Sequence, residues 1–190
     1  MVSSMSVLGL TVVVNFITNE EEAFLIRGVN ENWGGPQPLK RRTQHYGYVY
    51  DYASRQAPLR AADLPAWQTA VQERICAATD RPPFEQMIVN EYTPGQGIAA
   101  HIDSIDAFGD TICSLSMGSA VMIVFARGSA ANVELYLQPR TLVIMQGESR
   151  YKWTHHIPAR KSDTVNGERK LRTTRLSLTY RCMRENAHAQ

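Results

Sequence analysis

Apolar positions recur along this chain with two different periods. From Thr11 to Phe16 the residues, Asn15 apart, are β-branched or apolar, which predicts a strand. Thr18 with Glu21 three residues later forms a capping box, opening a helix through Ala23, Phe24 and Ile26. Leu64, Trp67, Val71, Ile75 and Ala78 fall at helical spacing, so a second helix is expected from about Leu64 to Ala78, with Asp63 as its cap and Pro65 in its first turn. From residue 86 onward the pattern changes to short β segments: Met87–Tyr92, Ile112–Met117, Val121–Ala126, Val133–Leu137, Thr141–Met145 and Leu176–Arg181. Turns such as Pro94-Gly95, Arg127-Gly128 and Gln138-Pro139 separate them, a pattern that predicts a sandwich or barrel. Asn166-Gly167, between Ser162–Val165 and Glu168–Leu171, predicts a tight hairpin turn carrying a basic arm. The fold class is therefore mainly β, of α+β composition.

Composition narrows this without changing it. The length of 190 residues fits one domain, and 44% hydrophobic with 20% charged residues is globular composition. A net charge of +2 is too small to mark a nucleic-acid binder by itself, so only local clusters can make that case. Cys76, Cys113 and Cys182 are odd in number and lack C-x-x-C spacing, which argues for reduced thiols and against a disulfide framework or zinc finger. The apolar run Val7–Val14 is far shorter than the ~20 residues a membrane helix needs. The expectation is a cytoplasmic protein, nuclear if eukaryotic, with no membrane partner and a monomer as the default.

His101-Ile102-Asp103 is the first segment with chemistry in it. On a strand, alternate side chains share a face, so the imidazole and carboxylate would converge while Ile102 turns to the core. Trp153-Thr154-His155-His156 offers a third ligand, and two histidines with one carboxylate suit a non-haem Fe(II) site with open positions. On a strand His155 and His156 face opposite ways, so only one reaches the metal. Arg175-Leu176-Ser177-Leu178-Thr179-Tyr180-Arg181 alternates strictly and puts two arginines on the face expected to point into a barrel. Buried guanidinium groups need partners, and a carboxylate held bidentately is one that fits.

Taken in order, Asn90-Glu91-Tyr92, Pro94 to Ile98, His101-Ile102-Asp103, Ser114 to Ser119, Gly147 to His155 and Arg175 to Arg181 resemble the motifs of the AlkB family of Fe(II)/2-oxoglutarate-dependent dioxygenases. The resemblance runs from about residue 38 to 182. It implies a double-stranded β-helix, or jelly-roll, with N-terminal helices packed outside: an extension and substrate lid over about 1–85 and a core over about 86–182. It also implies Fe(II) on the catalytic residues His101, Asp103 and His155, with 2-oxoglutarate and O2 as cosubstrates. Asn90, Tyr92, Arg175, Ser177 and Arg181 would form the cosubstrate side of the site, Arg175 pairing the distal carboxylate and Arg181 bracing Asp103. Two residues depart from the nucleobase-repair pattern: Ile105 stands where an acidic residue is usual, and Ser177 where asparagine is common. Both resemble the branch that hydroxylates wobble uridines in tRNA.

Lys40-Arg41-Arg42 precedes tyrosines at 46, 48, 50 and 52, which on one strand would share a face. Cationic charge beside an aromatic stripe grips phosphate and stacks an extruded base, so Arg41, Arg42, Tyr46, Tyr48 and Tyr50 are candidate substrate residues. Arg160, Lys161, Arg169, Lys170 and Arg172 could extend a basic rim. His45 and His188 have no evident partner, and Trp67 reads as core. The function expected is oxidation, by demethylation or hydroxylation, of alkylated or modified bases in DNA or RNA. The alternatives are an oxygenase acting on a protein side chain or small molecule, and a metal-binding jelly-roll without turnover.

Overall fold

The computed structural model describes residues 7–34, 39–129 and 132–184; His188 lies outside them. The elements in chain order are β1 (Leu10–Val13), α1 (Asn19–Glu31), β2 (Arg42–Tyr46), β3 (Tyr48–Asp51), β4 (Gln56–Arg60), a 3-10 turn (Ala66–Gln68), α2 (Thr69–Thr79), β5 (Gln86–Tyr92), β6 (Ile98–His101), β7 (Phe108–Gly118), β8 (Val121–Ala126), β9 (Val133–Leu137), β10 (Thr141–Met145), α3 (Gly147–Tyr151), β11 (Thr154–Ile157), β12 (Ser162–Val165), β13 (Glu168–Leu171) and β14 (Arg175–Met183). A six-stranded sheet, β1-β10-β7-β14-β5-β2, faces a four-stranded sheet, β6-β11-β8-β9. Among the described residues every strand pairing is antiparallel.

Alternation along the central strands builds two cores. On β14, Leu176, Leu178 and Tyr180 pack with Leu25 and Val29 of α1 and with Val71 and Ile75 of α2. The opposite face of the same strand lines a cavity between the sheets, beside a second core of Ile112, Ile123, Phe125 and Val143. The helices therefore cover one side of the large sheet and leave its other side for chemistry. Their own packing is close: a Cβ on Gly28 of α1 would stand 2.7 Å from the Trp67 ring.

The capping box on α1 forms as the sequence predicts, with Thr18 N–H donating to Glu21 at 2.8 Å and Glu21 N–H donating to Thr18 Oγ1 at 3.2 Å. Asn166 (φ +52°) and Gly167 (φ +81°) both adopt left-handed backbone, closing the β12–β13 hairpin as expected of a tight turn. The second helix differs: Asp63 does not cap it, because the chain first makes the 3-10 turn after Pro65, and α2 starts at Thr69 with no side-chain cap.

The tyrosine segment differs more. It is not one strand, because Gly47 breaks it at φ +75°, where a Cβ would approach the Glu85 carbonyl oxygen to 1.8 Å. Tyr46 finishes β2 and stacks edge-on against Trp67, with centroids 6.3 Å apart, in the helix-side core. Tyr48 opens β3 and is buried in the inter-sheet core.

Candidate metal centre and cosubstrate cavity

β6 and β11 are antiparallel neighbours, and His101 and His155 are direct partners across them. Their rings consequently lie side by side, with centroids 4.4 Å apart. Asp103 follows two residues beyond β6, and its Oδ1 is 3.4 Å from His101 Nε2 and 4.0 Å from His155 Nε2. One ligand atom from each of the three lies within 4.8 Å of the others. His101 Nδ1 is 2.8 Å from the Ala99 carbonyl oxygen, which assigns the ring hydrogen to Nδ1 and leaves the Nε2 lone pair facing the cluster. His156 pairs with Val124 and is absent from the cavity lining; its Nδ1 is buried without a partner among the described residues. Ile102 also departs from expectation: it lies past the end of β6 and lines the cavity instead of the core.

The carboxylate is held firmly. Arg181 Nε donates to Asp103 Oδ2 at 2.9 Å, and Arg181 Nη1 donates to Gln86 Oε1 at 3.0 Å. Burial pushes the Asp103 carboxyl upward, but Arg181 and the two histidines outweigh it and hold the group well below the usual carboxylate range. Burial pulls His155 down to about 4 against the attraction of Asp103, so its imidazole is neutral and available as a ligand at neutral pH. Arg150 was not identifiable from the sequence as part of this centre. It is 2% exposed and donates to the carbonyl oxygens of Asp103 (2.8 Å), Ser104 (2.9 Å), Phe108 (3.2 Å) and Gly109 (3.0 Å), knotting the loop that carries the carboxylate. Arg150 falls within the Gly147–His155 motif, but no spacing there shows that its side chain reaches the Asp103 loop.

The triad opens into a cavity of about 480 Å³ that also exposes Asn90, Tyr92, Arg175, Ser177 and Arg181. Arg175 is 4% exposed, donates from Nε to Ser116 Oγ at 2.9 Å, and lies 5.3 Å above the Tyr92 ring. No carboxylate pairs with it among the described residues. Burial accordingly lowers its proton affinity. A buried cation with donors to spare, beside two imidazoles and a carboxylate, suits a small dianionic cosubstrate next to a ferrous ion. Ser177 Oγ lies 2.9 Å from Ser114 Oγ and 3.4 Å from Thr179 Oγ1, forming a hydroxyl ladder along the cavity floor.

The candidate substrate residues divide. Arg41 and Tyr50 line the cavity, and Tyr52 and Arg55 join them. Arg41 Nε donates to Asn90 Oδ1 at 3.0 Å, while its guanidinium lies 5.9 Å from the Tyr52 ring and 5.8 Å from the Tyr92 ring. Tyr46, Tyr48 and Arg42 lie outside. Arg42 forks onto Glu91 (3.1 and 2.7 Å) and stacks 4.0 Å over Trp33, so its charge is already matched. In the proposed basic rim, Arg160 and Arg172 are spent on Asp163, Lys170 pairs with Glu168, and Arg169 donates to Ser162 Oγ at 3.0 Å. Arg55 sits among ordinary turn residues that give it no sequence signal; it donates to the Ile102 carbonyl oxygen at 3.2 Å.

Residues 27–181 match the family model of the 2OG-Fe(II) oxygenase superfamily. The chain is 30% identical over 180 residues to the Mus musculus alpha-ketoglutarate-dependent dioxygenase alkB homolog 7, mitochondrial, covering 90% of this chain and 76% of that protein. It belongs to the AlkB family of these oxygenases. A second relative is the Mus musculus tRNA (carboxymethyluridine(34)-5-O)-methyltransferase ALKBH8, 41% identical over 170 residues. That match covers 83% of this AlkB-family chain but only 25% of the relative. The solved structure of OsALKBH1 superposes with a TM-score of 0.71 over 92% of this chain and 96% of that one, at 19% identity. The common fold is the double-stranded β-helix, as the motifs imply. Among the described residues no helix is long and apolar enough to cross a membrane.

Proposed function

We propose that this AlkB-family protein is an Fe(II)- and 2-oxoglutarate-dependent dioxygenase that oxidises a modified nucleobase, with a modified uridine in RNA favoured over methylated bases in DNA. When bound, Fe(II) with 2-oxoglutarate and O2 supplies the oxidation: the 2-oxo acid is decarboxylated to succinate and CO2, and one oxygen atom enters a substrate C–H bond. His101, Asp103 and His155 would hold the metal through two imidazole nitrogens and one carboxylate oxygen. Arg175, steadied by Ser116, receives the distal carboxylate of 2-oxoglutarate, with Asn90 and Tyr92 alongside. Arg181 keeps Asp103 ionised and oriented. Tyr50 and Tyr52 give the base an aromatic wall, and Arg41 lies between that wall and the cosubstrate residues. If the oxidised carbon hangs on nitrogen, the product releases formaldehyde; if it hangs on carbon, a stable alcohol remains.

The observation that carries this reading is the buried Arg175, with no carboxylate partner among the described residues, sharing one cavity with the His-Asp-His cluster and a tyrosine wall. The preference for uridine rests on the likeness to the tRNA-modifying relative; Ile105, whose position suggested the same branch, is exposed and does not line the cavity. Succinate release should be compared without nucleic acid, with unmodified and methylated DNA, with RNA carrying modified uridines, and with peptides. Stimulation by modified RNA above all other additions is expected. Stimulation by a peptide alone would replace this reading with a protein hydroxylase.

A further inference from the structure

His45 is the penultimate residue of β2, behind the cavity wall and not in it. Its Nδ1 accepts the backbone N–H of Tyr50 at 3.0 Å. That leaves the ring hydrogen on Nε2, which faces the Tyr52 hydroxyl oxygen at 3.3 Å. One imidazole therefore ties down both tyrosines of the wall. Their rings meet edge-on at 5.1 Å, and Tyr50 leans on Phe108 at 5.4 Å. Burial pulls His45 down to about 4, with Arg181 and Arg41 acting in the same direction, so a single neutral tautomer persists at neutral pH.

The wall needs such a tie. Among the described residues β3 pairs as a strand with β4 alone, in a two-stranded sheet that no backbone ladder joins to either large sheet. A lone hairpin is marginal in water unless something packs or ties it. Its base is closed by Gly47 N–H to Ala62 O (2.7 Å) and Ala61 N–H to Gly47 O (3.0 Å), and Gln86 Nε2 reaches Tyr48 O at 3.2 Å. Those contacts hold the start of β3; further on, Asp51 pairs with Gln56 and accepts the Arg55 amide at 2.9 Å, Arg41 lies over the Tyr52 ring and Phe108 supports Tyr50, while His45 bonds both the Tyr50 amide and the Tyr52 hydroxyl.

We infer that His45 is the positioning residue of the substrate-facing wall: it sets Tyr50 and Tyr52 in place before a base arrives and so couples 2-oxoglutarate consumption to base oxidation. This rests on the substrate reading above. Wall residues locked in advance lose less freedom on binding, which shows in substrate affinity and not in the metal centre.

Two measurements on the full chain test it. Hydrogen exchange at the Tyr50 amide should accelerate about tenfold or more in His45→Ala, as expected when a buried hydrogen-bond acceptor is removed. In His45→Asn, whose side-chain carbonyl can take the place of Nδ1, protection should return; this variant also separates loss of the tie from loss of the fold. With the RNA substrate, His45→Ala should raise KM about tenfold while 2-oxoglutarate consumption without nucleic acid stays within about twofold. Tyr52→Phe should give part of that rise. A Tyr50 amide equally protected in His45→Ala would overturn the inference, as would an unchanged KM in a variant whose exchange has accelerated. If the unsubstituted protein responds to no nucleic acid, the substrate reading fails instead, and the exchange result alone decides whether His45 holds the wall.

Discussion

Arg181 and Asp103 are separated by 78 residues of chain, yet Arg181 Nε donates to Asp103 Oδ2 at 2.9 Å and turns Oδ1 toward both histidines. The two carboxylate oxygens thus have separate duties, one toward the guanidinium and one toward the metal position. Arg181→Met would free Oδ2, leave Asp103 buried without its cation, and orphan Gln86 Oε1. Affinity for Fe(II) or Mn(II), read by titration of the metal-free protein, should fall about 10–100-fold, the usual cost of losing a group that orients a ligand. Unchanged metal affinity would mean that Asp103 is oriented by the Arg150 loop alone.

Strand parity separates the adjacent histidines. His155→Ala should abolish metal-supported 2-oxoglutarate turnover, whereas His156→Ala should keep most of it, because only His155 reaches the cavity. The reverse pattern would place the wrong imidazole in the centre.

Arg175→Lys replaces a planar fork with a point charge in a buried position. The affinity for 2-oxoglutarate should weaken about tenfold or more, in line with loss of a charge-assisted bond worth about 1.5–3 kcal/mol, while metal affinity changes less. Calorimetry with the Mn(II)-loaded protein checks both. Arg172 does not stand in for it, since its guanidinium already grips Asp163 at 2.7 Å through both Nε and Nη2.

Much of this was readable because it was periodic. Strict alternation in Arg175–Arg181 separates a helix-covered face from a cavity face, and that division holds in three dimensions. His101, Asp103 and His155 come together because β6 and β11 are adjacent, a pairing that the ordered motifs imply but no local pattern states. What the sequence concealed depended on single backbone events. The left-handed Gly47 turns an apparent stripe of four tyrosines into two buried core residues and two cavity residues. His45 and Arg150 act through backbone groups of distant residues, and such contacts leave no spacing to detect. Arg42 is matched by Glu91, its cross-strand partner on β5, a pairing no local pattern states.

Asp163 is 1% exposed and anchors the β12–β13 hairpin by accepting from Arg172, Arg160 and the Met122 amide. Burial raises its proton affinity, but the two arginines lower it further, so the folded value lies below the ordinary 3.8. Its contribution is fully present above that ordinary value and is lost as pH falls through the lower, folded one. Thermal stability should therefore hold from neutral pH to about 5 and decline below about 4. Asp163→Asn should cost about 3 kcal/mol or more, as when one partner of a buried ion pair is removed, and should flatten the acid limb. An identical acid slope in the variant would assign that limb to other carboxylates.

In the proposed function the cavity couples 2-oxoglutarate decarboxylation to oxidation of a nucleobase. The most direct test of that coupling incubates the full chain with Fe(II), 2-oxoglutarate and O2 on a mixture of natively modified RNA and DNA, followed by mass spectrometry of the released nucleosides. A modified uridine from RNA should gain one oxygen atom, with succinate formed in equal amount, and Arg175→Lys should suppress both together. Rapid loss of a methyl group as formaldehyde from methylated DNA, with no change in any uridine, would contradict the RNA preference, and no change in any nucleoside would contradict the coupling itself.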